Sequence, residues 1–166
     1  MPQPYTLSDE EVFQQALQGE DELGLVMRSH IHIEANLLAL LDALLASSKH
    51  LDKMNLEYSQ RVHLAVALGL LPEYEAPLLA FGTLRNAFAH RPGTKLSKDR
   101  VNNLYACLSP KLKTLVRESH ERARRKPGHE AVLAYNRLSP RDQLVFIAIT
   151  LHALLEVAIK HAKATQ

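Results

Sequence analysis

Three side chains near the end of a predicted helix have the chemistry needed to act on a phosphate ester: Arg85, Asn86 and His90. Histidine can accept or donate a proton near neutral pH. The planar guanidinium of arginine fits a phosphate and neutralises charge that develops on its oxygens. Asn86 can orient His90 or hold a phosphate oxygen. Such chemistry needs no metal or other cofactor, and we expect none.

The residues around this motif, RNAFAH at positions 85–90, suit the end of a helix. A polar residue follows the arginine, small and apolar residues come next, and a proline stands two positions past the histidine. A second pair with the same spacing, Arg124 and His129, spans a Lys-Pro-Gly sequence that breaks a helix. The first pair is therefore the candidate site.

The segment RNAFAH resembles the R-x4-H signature of the HEPN superfamily. The resemblance covers roughly residues 20–107 and the final helix, and within the superfamily the chain is also similar to the mannitol operon repressor family. It implies a small all-helical homodimer, a toxin or a stress and defence effector. Such an enzyme cuts RNA without a metal and leaves 2′,3′-cyclic phosphate and 5′-hydroxyl ends. An antitoxin would be a further protein partner.

Two other functions are compatible with the same residues. The first is a non-catalytic transcriptional or metabolic regulator, similar to the mannitol operon repressor, that acts through protein–protein interaction. The second is a DNA-binding repressor, but no recognition helix is evident in the sequence. An open positive groove at Arg85 and His90 favours the nuclease, whereas complete burial of both side chains favours the regulator.

A long helix predicted over residues 21–47 offers partners for Arg85. Ile31, Ile33 and the leucines from Leu37 to Leu45 fill one side of this helix. Two polar residues one turn apart, His30 and Glu34, fall on the same side. The opposite side holds Arg28, His32 and Asn36. Because a carboxylate on a core face needs a partner, we expect Glu34 to form an ion pair with Arg85, with His30 close by.

Arg85 and His90 do not share a face of a regular helix, because five residues turn it by about 140°. Either the helix end unwinds before Pro92, or the cleft lies between two subunits that each contribute an arginine and a histidine. The HEPN resemblance implies the second arrangement, and a two-fold symmetric dimer is the commonest oligomer.

Charge is unevenly distributed although the net charge is only +2. Residues 1–50 contain eight acidic and two basic residues, whereas residues 111–126 contain seven basic and two acidic ones. Such a patch can attract phosphate backbones, and the alternative is a solvated helix face. The candidate RNA-binding residues are Arg91, Lys111, Lys113, Arg117, Arg122, Arg124 and Arg125. Four tyrosines could stack bases, although single tyrosines are usually packing residues: Tyr58, Tyr74, Tyr105 and Tyr135.

The fold predicted is all-α and forms one domain over residues 1–166. It is an up-and-down, HEPN-like bundle with an additional basic helical segment at about 109–138. Leu and Ala favour helix, and no strand alternation occurs. Caps and helix breakers, including a Ser8–Glu11 capping box, predict seven helices. Their approximate ranges are 9–19, 21–47, 56–70, 73–91, 99–107, 110–126 and 140 onwards.

The remaining features indicate the cytoplasm. Cys107 is the only cysteine and cannot form an internal disulfide, which fits a reducing compartment. The first residues have neither an apolar run nor a basic region, so we expect no signal peptide. The longest apolar stretch, residues 144–159, is shorter than the ~20 residues of a membrane span. We expect it to form a core or dimer helix, with no membrane partner.

Overall fold

The computed structural model describes residue 13, residues 16–125 and residues 133–165. This part of the chain contains no β-strand, so the predicted all-α fold class is confirmed. The predicted first helix and its capping box lie mostly outside the described residues. Within the described residues the α-helices are α1 (Glu22–Leu44), α2 (Tyr58–Ala67), α3 (Glu75–His90), α4 (Lys98–Ala106), α5 (Pro110–Arg124) and α6 (Pro140–Ala164). Short 3-10 turns occur at Ser48–His50, Asp52–Met54, Pro72–Tyr74 and Tyr135–Arg137.

Side-chain caps begin four of these helices within a residue or two of the predicted positions. Each capping oxygen accepts a hydrogen bond from the backbone N–H three residues ahead. The capping residues are Asp21, Ser97, Ser109 and Ser139. Pro110 and Pro140 follow directly, in the first helical position, where the missing N–H would have no intrahelical partner.

Several predicted boundaries differ from the structure by two or three residues, among them the start of the 56–70 helix, which lies at Tyr58. The helix expected to reach residue 47 ends at Leu44, because the next residue is extended. The helix expected from residue 73 begins at Glu75, after the 3-10 turn at Pro72–Tyr74. The helix expected to reach residue 70 ends at Ala67, two residues before Gly69. That glycine has φ +119°, a conformation in which a side chain would be strained.

The two longest helices, α1 and α6, pack along each other and form the centre of the bundle. Helices α2 and α3 pack against α1, α5 packs against α6, and α4 contacts both α3 and α6. Their buried side chains form one hydrophobic cluster. By length and composition alone α6 could cross a membrane, but 56% of its most apolar window is buried inside the protein. It is therefore a core helix of the bundle, as the sequence predicts.

The predicted faces of α1 are only partly correct. His30 is buried, as its place on the apolar side predicts, but Ile31 on the same side is 61% exposed. Asn36 was assigned to the polar side and is instead fully buried. Its side-chain amide donates to the backbone carbonyl of His152 at 3.2 Å. The helix is covered by α6 on one side and by α2 and α3 on another, which a helical wheel cannot predict.

Candidate functional site

Helix α3 carries the RNAFAH motif in its last two turns and remains helical through His90. The chain becomes extended at Arg91, as is usual for the residue before a proline. The hydroxyl of Thr94 then donates to the carbonyl of Ala87 at 3.0 Å and closes the helix end. The helix does not unwind, so this route to bringing the arginine and histidine together does not occur.

The arginine and the histidine of the motif border different grooves on the two sides of α3. The Arg85 groove, about 450 Å³, lies against α2 and is lined by Arg85, Tyr58 and Glu57 among others. The His90 groove, about 580 Å³, lies against α4. Asn86 borders both grooves. Arg85 and His90 therefore point apart within one chain, as their spacing on a regular helix predicts.

The His90 groove is positively charged. His90 and Arg91 are exposed at its rim, and Arg100 from α4 lines its opposite side. Asn103 adds an amide, and none of the described residues that line this groove is acidic. Arg100 and Asn103 were not recognised from the sequence, because nothing in it indicates which face of α4 meets α3.

Asn86 holds the side chain of Arg85. A terminal nitrogen of Arg85 donates to Oδ1 of Asn86 at 2.8 Å. The predicted ion pair between Glu34 and Arg85 is wrong. Glu34 pairs instead with Arg61 of α2, and a terminal guanidinium nitrogen of Arg61 lies 2.6 Å from Oε1 of Glu34. Helix α2 packs against α1 and brings a guanidinium to Glu34 that the sequence does not place there. Among the described residues, no carboxylate lies within 4 Å of Arg85.

His30, on α1, is only 2% exposed. Its ring packs on that of Tyr58, with 4.4 Å between the ring centroids. Burial, and secondarily the charge of Arg85, lower the pKa of His30 to about 4. Nδ1 of His30 is 3.8 Å from Glu34, but that carboxylate is already paired with Arg61. His30 is therefore neutral at pH 7.

Tyr58 and Gly82 complete the wall of the Arg85 groove. The Tyr58 hydroxyl donates to the carbonyl of Leu78 at 3.0 Å, and burial raises its pKa. The ring lies directly against Gly82, where an added Cβ would be 2.7 Å from it. A lone glycine inside an apolar helix is the sequence signal that could have indicated this close approach.

Replacement of Gly82 by alanine should destabilise the protein by about 1–2 kcal/mol. Overpacking costs about 1–3 kcal/mol, and the better helix propensity of alanine offsets up to about 1 kcal/mol. Chemical denaturation of Gly82→Ala, Tyr58→Ala and the double variant measures the coupling between the two positions. In the Tyr58→Ala background the same change should be neutral or stabilising. An equal loss in both backgrounds would mean that the clash is not with the ring.

Three of the predicted RNA-binding residues lie on one side of α5, toward Tyr105. Lys113 Nζ is 5.5 Å from the centre of the Tyr105 ring, and Arg117 Nε donates to its hydroxyl at 3.2 Å. Arg124 belongs to the same side of the helix but pairs with Glu121 at 2.9 Å. These side chains form an aromatic and basic surface rather than a uniform charged face.

The other four candidates lie elsewhere. Lys111 Nζ is 3.7 Å from a carboxylate oxygen of Glu73. Arg122 is exposed on the other side of α5, Arg125 is exposed directly after the helix ends, and Arg91 lies in the His90 groove. The seven residues therefore do not make one surface, because a helix distributes a run of basic residues around its whole circumference.

Comparisons with known proteins add no assignment to these sites. No protein-family model, curated protein or solved structure matches the chain. Within the part of the chain that the structure describes, no group of three His, Cys, Asp or Glu side chains is placed to hold a metal ion. The function is therefore inferred from the residues and their geometry.

Proposed function

We propose that this protein is a metal-independent endoribonuclease. The observation that supports this most is the state of Arg85, whose partner is a neutral amide rather than a carboxylate. Arg85 is half-buried and lines an open groove, so a ligand can reach its charge. An arginine that is held in position but not neutralised can bind a phosphate. His90 is exposed on the same helix and can reach a bound strand.

Each motif residue has a defined role in this proposal. A histidine takes the proton of the RNA 2′-hydroxyl, whose oxygen attacks the adjacent phosphorus, and a histidine protonates the departing 5′-oxygen. Arg85 neutralises the charge on the phosphate oxygens. Asn86 positions Arg85 through Oδ1, which leaves its amide N–H groups for a phosphate oxygen. The products are a 2′,3′-cyclic phosphate and a 5′-hydroxyl.

The proposal includes a homodimer, because Arg85 and His90 border opposite sides of α3. One phosphate can contact both residue types if a second copy presents its histidine to the arginine of the first. A two-fold axis near the end of α3 would produce this arrangement twice. Arg91 and Arg100 in the His90 groove would bind the flanking phosphates. His30 and Glu34 act more indirectly, since they hold the Tyr58 wall and Arg61.

The decisive experiment is incubation of the purified protein with total RNA, tRNA and mRNA in excess EDTA, followed by analysis of the ends. We expect cleavage with cyclic-phosphate and 5′-hydroxyl ends. An Arg85→Ala/His90→Ala double variant purified in parallel detects contaminating ribonuclease, and His50→Ala controls for loss of an exposed histidine outside both grooves. Absence of cleavage by folded wild-type protein would reject the nuclease and favour the regulator that binds a protein partner.

A further inference from the structure

A third concave site lies on the side of α4 that faces away from the motif. This site, the tyrosine cleft, has a volume of about 840 Å³. It is formed by one face of α4, one face of α5, the 3-10 turn at 135–137 and the first turn of α6. None of the described residues that line it lines either groove beside α3.

Two aromatic rings form one wall of the tyrosine cleft. Tyr105 and Tyr135 lie with their ring centres 5.5 Å apart and their planes inclined by 33°. His120, itself 1% exposed, packs edge-on against Tyr135. The side chain of Gln143 donates to the carbonyl of Tyr135 at 2.9 Å. The rings are therefore held in place before any ligand binds, which lowers the entropic cost of stacking a planar group on them.

Positive charge lies beside these rings. Arg117 binds the Tyr105 hydroxyl through Nε, so its orientation is set, and Lys98 lines the cleft from α4. Among the described residues, neither side chain has a carboxylate within 4 Å. Glu121, the one acidic side chain among the described residues that line the cleft, is paired with Arg124. The cleft therefore combines a stacking surface with cations whose charge is not compensated.

We propose that the tyrosine cleft binds a nucleoside phosphate, with the base against Tyr105 and Tyr135 and the phosphate beside Arg117 and Lys98. Any of the four bases can stack on an aromatic side chain, and the planar guanidinium of arginine can donate two parallel hydrogen bonds to a phosphate. The amides of Asn102 and Asn136 line the same cleft and can bond to base edges. The nucleotide is either free or part of an RNA strand. The inference goes beyond the proposed cleavage, because binding here does not need Arg85 or His90.

Two probes test the inference. One is adenosine 5′-monophosphate, followed by NMR titration, and the other is a fluorescent hexamer of 2′-O-methyl-adenosine, followed by anisotropy. The 2′-O-methyl group removes the attacking hydroxyl, so binding is measured without cleavage. Tyr135→Leu, Tyr105→Leu and Arg117→Gln are compared with Arg28→Gln, a matched exposed arginine on α1 that lines neither the cleft nor either groove. Circular dichroism confirms that each variant is folded.

We expect each tyrosine variant to weaken binding at least about fivefold, because stacking contributes about 1–3 kcal/mol per base. Arg117→Gln should weaken binding and also reduce its dependence on salt, whereas the affinity of Arg28→Gln should stay within about twofold of the wild type. Binding of the monophosphate alone supports a free nucleotide, and binding of the hexamer alone supports RNA. No binding of either probe, or equal losses in Arg117→Gln and Arg28→Gln, would overturn the inference. Cleavage of RNA without probe binding at the tyrosine cleft would reject this inference and leave the nuclease standing. Probe binding at the cleft without cleavage would reject the nuclease and leave this inference standing.

Discussion

We expect His90→Ala to lower the rate of RNA cleavage by about 10²- to 10⁴-fold, the usual contribution of a general acid or base. Arg85→Ala should lower it by about 10²- to 10³-fold, because charge on the phosphate is no longer neutralised. Neither change should unfold the protein, since His90 is exposed and Arg85 bonds only to Asn86 in the described structure. Labelled RNA in EDTA measures the rates, and circular dichroism checks the fold.

Mixing the two inactive variants tests the dimeric site directly. If the arginine of one subunit works with the histidine of the other, a mixed dimer of Arg85→Ala and His90→Ala retains one intact pair of two. Half of randomly exchanged dimers are mixed, so about one quarter of wild-type activity should return. No recovery, with subunit exchange shown by a tagged copy, would mean that each active site is built within one chain.

Acid should destabilise this protein strongly through two buried histidines. The pKa of His30 is lowered to about 4 by burial and by Arg85, and that of His152 is lowered to about 4 by burial and by His32. An unfolded histidine titrates near 6.5, so between about pH 6.5 and 4 the unfolded chain binds more protons than the folded one. The free energy of unfolding therefore falls as the pH falls through this window. The expected loss from pH 7 to 4.5 is about 4–5 kcal/mol for the pair.

Urea denaturation at pH 7 and at pH 4.5 measures this loss. His152→Phe keeps an aromatic ring beside Phe13, which stacks on His152 at 4.4 Å, but removes the titrating group. This variant should lose about half as much free energy as the wild type over the same pH range, with the remainder due to His30. Equal losses in the variant and the wild type would show that His152 is not responsible. The carboxylates are common to both proteins and cancel in this comparison.

The local structure could be predicted where one residue determines it. Two helices begin where the sequence predicts, each with a capping serine followed by a proline: Ser109 with Pro110, and Ser139 with Pro140. Capping depends only on neighbouring residues, so the sequence is sufficient to locate these helix starts. The end of α3 follows in the same way from the proline after Arg91. The angle between Arg85 and His90 also follows from the helix repeat alone.

Contacts between helices could not be predicted in this way. Glu34 needed a cation, and the sequence offered Arg85, but the packing of α2 against α1 supplies Arg61 instead. Asn36 was assigned to a polar face and is buried because α6 covers that face and accepts its hydrogen bond. A helical wheel describes one helix, whereas burial depends on how many neighbours surround it.

The sequence by itself determined the helices, their caps and the place of the RNAFAH motif at a helix end, because these depend on residues within about one turn of each other. Only the tertiary structure decided that Arg85 and His90 border separate grooves and that Asn86 rather than Glu34 holds the arginine. It also decided that the basic segment meets Tyr105 across a cleft. Those features depend on which helices pack together, and that choice is made by buried area summed over the whole chain rather than by any local signal.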